Sequence, residues 1–119
     1  MSEDRTADVQ SPKTFYDLLV VSAERAQAGK LYQEFLRVPA LSVGVYVLAA
    51  GATDPQKPHQ EDEVYYVVRG RAKMRVASEE QVVKAGTVIF VPAEVQHRFF
   101  DIAEELEVLV LFAPAESST

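Results

Sequence analysis

The chain of 119 residues contains two histidines, His59 and His97, and no cysteine. His59 stands four residues before Glu63, within a crowded polar stretch that begins at Asp54. Two imidazoles and one carboxylate make the facial set that holds a divalent ion while leaving coordination positions open. Zinc, iron, manganese or nickel would each suit such donors, and an open position could take a substrate oxygen or dioxygen. The spacing of His59 and Glu63 taken alone equally suits two polar residues flanking a surface turn. The lack of cysteine excludes disulfide scaffolds, thiolate zinc sites, iron–sulfur clusters and thiol nucleophiles together. Any metal chemistry therefore rests on nitrogen and oxygen donors.

Those side chains need a frame to hold them. The chain is 48% apolar and 25% charged, ordinary for a globular domain, and its length suits a single one. Residues 1–13 are polar, acidic and without periodicity, which predicts a mobile N-terminal arm, and 116–119 read as a flexible tail. The single domain is expected over 14–115. Thr14 to Ala28 reads as a helix, with Thr14 as its cap, Asp17 in the first turn and Gly29 as its stop. Phe15, Leu18, Leu19 and Ala26 would share its apolar face, although the run Leu18 to Val21 suits a strand equally. From Lys30 onward the chain reads as strands. They are expected over 31–38, over 42–49 alternating around Val43, Val45 and Val47, and over 64–69 as a strand covered on both faces. Gly70 then makes a turn into 71–76, where Ala72, Met74 and Val76 point inward and Arg71, Lys73 and Arg75 outward. That basic row reads as a solvated strand face in preference to an anion patch. Strands over 81–84, 87–91, 97–101 and 106–112 complete a pattern that argues for an antiparallel sandwich or barrel.

The glycines and prolines around the histidines add a second pattern. Gly51, Lys57, His59, Glu63 and Gly70 match four of five positions of Gly-x5-His-x-His-x3,4-Glu-x6-Gly. Gly86, Pro92, Glu94, His97 and Asp101 match three of five positions of Gly-x5-Pro-x-Gly-x2-His-x3-Asn. In these residues the chain, from about Leu41 to Phe112, resembles the cupin superfamily and within it the small single-domain bacterial cupins. The resemblance implies an all-β jelly-roll barrel, RmlC-like, with one divalent metal ion inside, and His59, Glu63 and His97 as its ligands. Three positions depart from the family pattern: Lys57 replaces its first His, Glu94 its turn Gly, and Asp101 its Asn. A protonated lysine is a poor ligand, which leaves three arrangements open. His59, Glu63 and His97 hold the ion alone, with Lys57 facing solvent or a bound anion; or Gln56 or Glu61 swings in as a fourth, oxygen ligand; or the site is metal-free and Lys57 pairs with Glu63. Metal is favoured, because buried His and Glu on one wall are costly until something satisfies them.

Strand parity puts Tyr65 in phase with Glu63, and Phe99 and Asp101 in phase with His97. Tyr65 and Phe99 read as packing on the pocket wall. Asp101 is the candidate catalytic residue, as a general base or as support for the His97 ring, against a plain strand-end cap. The expected function is metal-dependent chemistry on a small molecule inside the barrel, of oxygenase, isomerase or lyase type. The alternative is a non-catalytic cupin that binds or senses a small ligand. With 18 acidic against 12 basic residues the net charge is −6, which repels phosphate backbones and anionic lipid, so no nucleic-acid or membrane partner is expected. Leu18 to Val21 falls far short of the roughly 20 apolar residues a bilayer span needs. Glu3, Asp4 and Asp8 stand where a signal peptide would be basic, and a cytoplasmic location is expected. An apolar segment ahead of the barrel must cover something, which predicts a homodimer.

Overall fold

The computed structural model describes residues 12–117. Residues 1–11 of the expected arm and 118–119 of the expected tail lie outside the described residues. One helix, α1 (Leu18–Gln27), precedes strands β1 (Tyr32–Val38), β2 (Leu41–Leu48), β3 (Asp62–Val76), β4 (Glu79–Lys84), β5 (Val88–Val91) and β6 (His97–Ala113). No helix among the described residues is long and apolar enough to cross a membrane.

The run Leu18 to Val21 is helical, but the cap is Asp17 and not Thr14. The Asp17 carboxylate accepts from the Leu19 amide at 3.0 Å, satisfying one of the amides that a first turn leaves without a partner. Gly29, at φ +68°, ends the helix as expected. The buried stripe is narrower than the expected face. Val21 is buried and Leu18 packs beside it, while Phe15 and Leu19 stay 87% and 82% exposed.

Each strand owes its place to which of its faces is covered. Val45 and Val47 of β2 lie under Val21, Leu18 and Phe35, whereas Tyr46 and Leu48 of the same strand enter the main core. The strand covered on both faces is therefore β2. In β3, expected to be doubly covered, Tyr65 and Val67 are inside but Tyr66 is 42% exposed. The sheet runs β1-β2-β6-β3-β4, with β5 also paired to β3 and every pairing antiparallel. Its core gathers Tyr65, Phe99, Leu48, Leu106, Val108 and Val83 among others.

Two segments expected as strand–turn–strand are single long strands. Gly70 lies inside β3 at φ +99°, where a Cβ would overlap the Glu105 carbonyl and stand 2.7 Å from the Leu106 Cα. It is a bend with a close backbone approach, and the β3–β6 register shifts around it, between Val67 and Lys73. Opposite, β6 continues through Asp101, at φ +46°. The first half of β3 thus pairs with β5 and the end of β6, and its second half with β4 and the start of β6. These two bends fold the sheet into a jelly roll. Outward Lys73 pairs with Asp101 and Arg75 with Glu80, so the basic row is a solvated, largely paired face.

Candidate metal centre

His59 rides on the loop between β2 and β3, and a buried carboxylate fixes that loop. Asp54 accepts from the Tyr46 hydroxyl at 2.6 Å, the Phe99 amide at 2.9 Å and the Gln56 amide at 3.2 Å. One residue thereby ties the loop to β2 and β6 together. A second tie joins the Glu94 amide to the His59 carbonyl at 2.7 Å. Glu94 sits at φ +69°, a left-handed conformation that glycine adopts at no steric cost. The family pattern has glycine there for the same reason.

Glu63 opens β3 with its side chain inward, and His97 opens β6 on the facing wall. The His97 Nδ1–H donates to the Val95 carbonyl at 2.9 Å, the tautomer that this bond assigns. Its Nε2 is thereby aimed at Glu63 Oε1, 3.2 Å away. Both Glu63 oxygens and His97 Nε2 are buried and make no hydrogen bond. A neutral imidazole nitrogen facing a carboxylate sets lone pair against lone pair. Something positive must stand between them, a proton or a metal ion. Burial pulls the His97 imidazole down, but Glu63 and the Val95 carbonyl outweigh it and raise it above the ordinary value.

His59 closes the group. One ligand atom each from His59, Glu63 and His97 lie within 4.8 Å of one another, and the two imidazole centroids are 5.7 Å apart. Donors at 2.0–2.2 Å from an ion stand about 3–3.6 Å apart, and the His97 Nε2 to Glu63 Oε1 separation of 3.2 Å already falls in that range. The donor set and the orphaned atoms fit a divalent ion. His59 Nε2 lies 3.1 Å from Gln56 Oε1, and the Gln56 amide nitrogen donates to the Tyr65 hydroxyl at 2.5 Å. Burial, with the Glu63 charge next in size, holds that hydroxyl well above the usual phenol range. Gln56 thus stands beside His59, held there by Tyr65.

Of the other expected residues, Lys57 and Glu61 line the cavity beside the His59–Glu63–His97 group without belonging to the group itself. Glu61 is buried but accepts from the Ser117 amide at 2.9 Å and does not belong to the His59–Glu63–His97 group. Lys57 is exposed, and among the described residues no ion pair joins it to Glu63, whose ionic partner is His97. The metal-free arrangement built on a Lys57–Glu63 pair is therefore corrected. Phe99 is buried with its ring 5.0 Å from that of Tyr65, and packs. Asp101 is exposed, paired with Lys73 at 3.4 Å, and outside the His59–Glu63–His97 group, so it does not stand in phase with His97 as expected. Its positive φ breaks the alternation that was to carry it inward, and Ile102 is buried in its stead.

Two residues escaped the sequence reading. Asp54 carried one signal, its place just ahead of Pro55 and Gln56, where an Asx-type turn is common. Glu116 carried none. Its carboxylate stands 3.5 Å from His59 Nδ1, and burial raises it above the ordinary carboxylate range although His59 opposes. Glu116 and Ser117, at the start of the expected tail, are held by Ser42, Arg37 and Glu61. A cavity of about 480 Å³ opens beside the centre, lined by Tyr32, Tyr46, Gln56, His59, Phe112 and Glu116 among others.

A cupin domain profile matches residues 44–113. An uncharacterized protein of Streptomyces coelicolor is 53% identical over 97 residues, which cover 82% of this chain and 92% of that one. A Thermus thermophilus protein of known structure shares the fold at a TM-score of 0.68 and 25% identity, covering 87% of this chain and 99% of its own. An RmlC-like cupin from Shewanella frigidimarina does so at a TM-score of 0.63 and 26% identity, over 71% and 75% of the two chains. With the motif spacing, the jelly roll and the inward His–Glu–His group in agreement, the chain belongs to the cupin domain family.

Proposed function

We propose that this cupin holds one divalent metal ion through His59, Glu63 and His97, and acts on a small molecule in the adjoining cavity. The observation that carries the reading is the trio of buried, unbonded atoms, Glu63 Oε1 and Oε2 and His97 Nε2. Leaving them so costs several kcal/mol by the usual order of magnitude, and a cation removes that cost. The bound ion would supply Lewis-acid polarisation of a substrate oxygen. The chain's own residues supply the rest. Glu63 and the Val95 carbonyl orient the His97 ring, and Asp54 holds the loop that presents His59 and Gln56. The Tyr32 hydroxyl, buried and without a partner, is free to bond a ligand in the cavity. The volume of about 480 Å³ suits a small organic molecule.

A second reading, a binding or sensing cupin without turnover, gains from one observation. The carboxylate expected as a base, Asp101, faces solvent. Metal analysis of untagged protein after supply of zinc, iron, manganese or nickel decides the first step. One equivalent in wild type and none in His59→Ala or His97→Ala is expected, with the fold intact in each. Metal that survives both substitutions sinks the assignment.

We propose further that a second copy of the chain covers the outer face of β3 and β5. The register sets Val45, Leu109, Tyr66 and Val88 in one row across the sheet, and paired residues share a face. Val45 lies under α1, Tyr66 is 42% exposed and Val88 is 65% exposed, so cover ends where the helix ends.

A further inference from the structure

We propose that a second cavity, across the Gln56–Pro58 wall from the first, binds the oxyanion group of a small organic anion, a carboxylate or a phosphate monoester. The cavity has a volume of about 480 Å³, and its lining includes Lys57, Arg75, Arg98, Gln96 and His97. Three of these side chains are cations, and among the described residues no carboxylate lines it. That composition stands against the whole chain, where acidic residues outnumber basic ones 18 to 12. Some cations elsewhere on the surface are met locally, Arg69 by Glu105 and Glu107, Lys73 by Asp101 and Arg37 by Glu34, whereas this cavity gathers three in one place. Within this cavity Arg75 is paired with Glu80, but Lys57 and Arg98 form no ion pair among the described residues.

The placement of Lys57 follows from the loop geometry. Gln56 turns inward to His59 and Tyr65, so its neighbour Lys57 is turned out, onto the wall shared by the two cavities. On β6 the same alternation sends His97 inward and Arg98 outward, one residue apart. Lys57 and Arg98, both without an ion pair among the described residues, thus line this cavity together, and His97 borders it while its side chain is buried on the other side of the strand. An anion seated on Lys57 and Arg98 would lie across the Gln56–Pro58 wall from the first cavity. Arg offers a planar fork for paired hydrogen bonds to an oxyanion, and Lys adds a point charge. This also gives the lysine that replaces the family's first histidine a role that a histidine ligand would not have. The inference goes beyond the proposed function by adding a second ligand site, and it does not depend on the metal reading.

The test titrates succinate, inorganic phosphate and neutral succinamide into chelator-stripped and zinc-loaded protein, followed by amide and side-chain NMR shifts and by calorimetry. Succinate or phosphate is expected to shift Lys57, Gln96 and Arg98 while succinamide does not, with affinity falling as salt is raised. The preferred of the two anions tells a carboxylate ligand from a phosphate one. Lys57→Gln and Arg98→Gln should each weaken binding roughly three- to tenfold, as exposed charge-assisted contacts do, and leave zinc uptake and melting temperature unchanged. Anion binding that persists in stripped protein which takes up no zinc upholds this inference while the metal reading fails. Zinc uptake with no anion shift at these residues, or with shifts indifferent to both substitutions, overturns the inference and leaves the metal reading standing.

Discussion

Glu63 is 1% exposed, carries a charge, and has for its partner an imidazole whose own state is in question. Replacing it by an isosteric amide removes that charge and offers His97 Nε2 a donor. Glu63→Gln is therefore expected to abolish zinc uptake and yet raise the stability of the metal-free protein by about 1–3 kcal/mol. Thermal melts with and without zinc would check both halves, and a variant that still gains stability from zinc would contradict the first. The pH dependence follows from the direction of the His97 shift. An imidazole raised on folding contributes stability that is fully present below its ordinary value of 6.5 and is lost as pH rises through the folded value. Zinc must displace that proton, so its stabilising effect should run the other way and grow between about pH 6 and pH 8. A zinc effect flat across that range would place the ion elsewhere. The triad was legible because the glycines and prolines around the two histidines repeat the cupin motif spacing, which the distance from His59 to Glu63 alone would not have shown. Asp101 misled because parity counting assumes an unbroken strand, and one positive φ reverses every side chain after it. Gln56 and Lys57 show the same limit in a loop, where a single-residue shift decides which side chain turns toward His59 and no periodicity reports it.

At the scale of elements, the barrel depends on bends that a sequence writes ambiguously. A glycine between two apolar runs reads as a turn, and Gly70 is instead the place where β3 passes against the β6 backbone. Gly70→Ala combines a clash with backbone atoms and an unfavourable φ, so a loss of about 3 kcal/mol or more is expected, with zinc affinity falling as the walls splay. Denaturant melts would measure it, and a loss below about 1 kcal/mol would mean the bend relaxes freely. The loop before β3 makes the matching case. Asp54→Asn keeps two acceptor bonds but turns an amide toward the Phe99 N–H, and should cost about 1–3 kcal/mol. Because Asp54 spaces Gln56 from Tyr46, that variant should also lose zinc affinity, whereas a purely structural residue would leave it alone. The strand periods were readable from side-chain alternation. Which strand is covered twice was not, since that depends on where α1 lies down, and Val45 and Val47 look no different in sequence from Val64 and Tyr66.

For the whole molecule, the family was legible from motif spacing alone, because the two motifs mark the ends of the facing strands that carry the site. Self-association is less directly written. The row Val64, Phe90, Tyr66 and Val88 reads in sequence as two ordinary strands, and becomes an uncovered apolar face only once β5 pairs with β3. Val88 and Phe90 are 65% and 58% exposed there. Phe90→Asp is expected to convert a dimer to a monomer in sedimentation, with the fold and the zinc stoichiometry retained. A wild-type chain that sediments as a monomer at high micromolar concentration would remove the proposed interface.

The length of β3 and β6 has a consequence in time. Glu63 comes opposite Phe112 and His97 opposite Val76, so the triad is complete only when both ends of this long antiparallel pair have closed. Pairings so distant along the chain form slowly, on the order of milliseconds to seconds for a domain of this kind. In the transition state for folding the three ligands are then still apart, and an ion has nothing to grip. Zinc should leave the refolding limb of a chevron where it is and lower the unfolding limb, acting as a brake on opening. Refolding that quickens with zinc would reveal a nucleus built around the site itself.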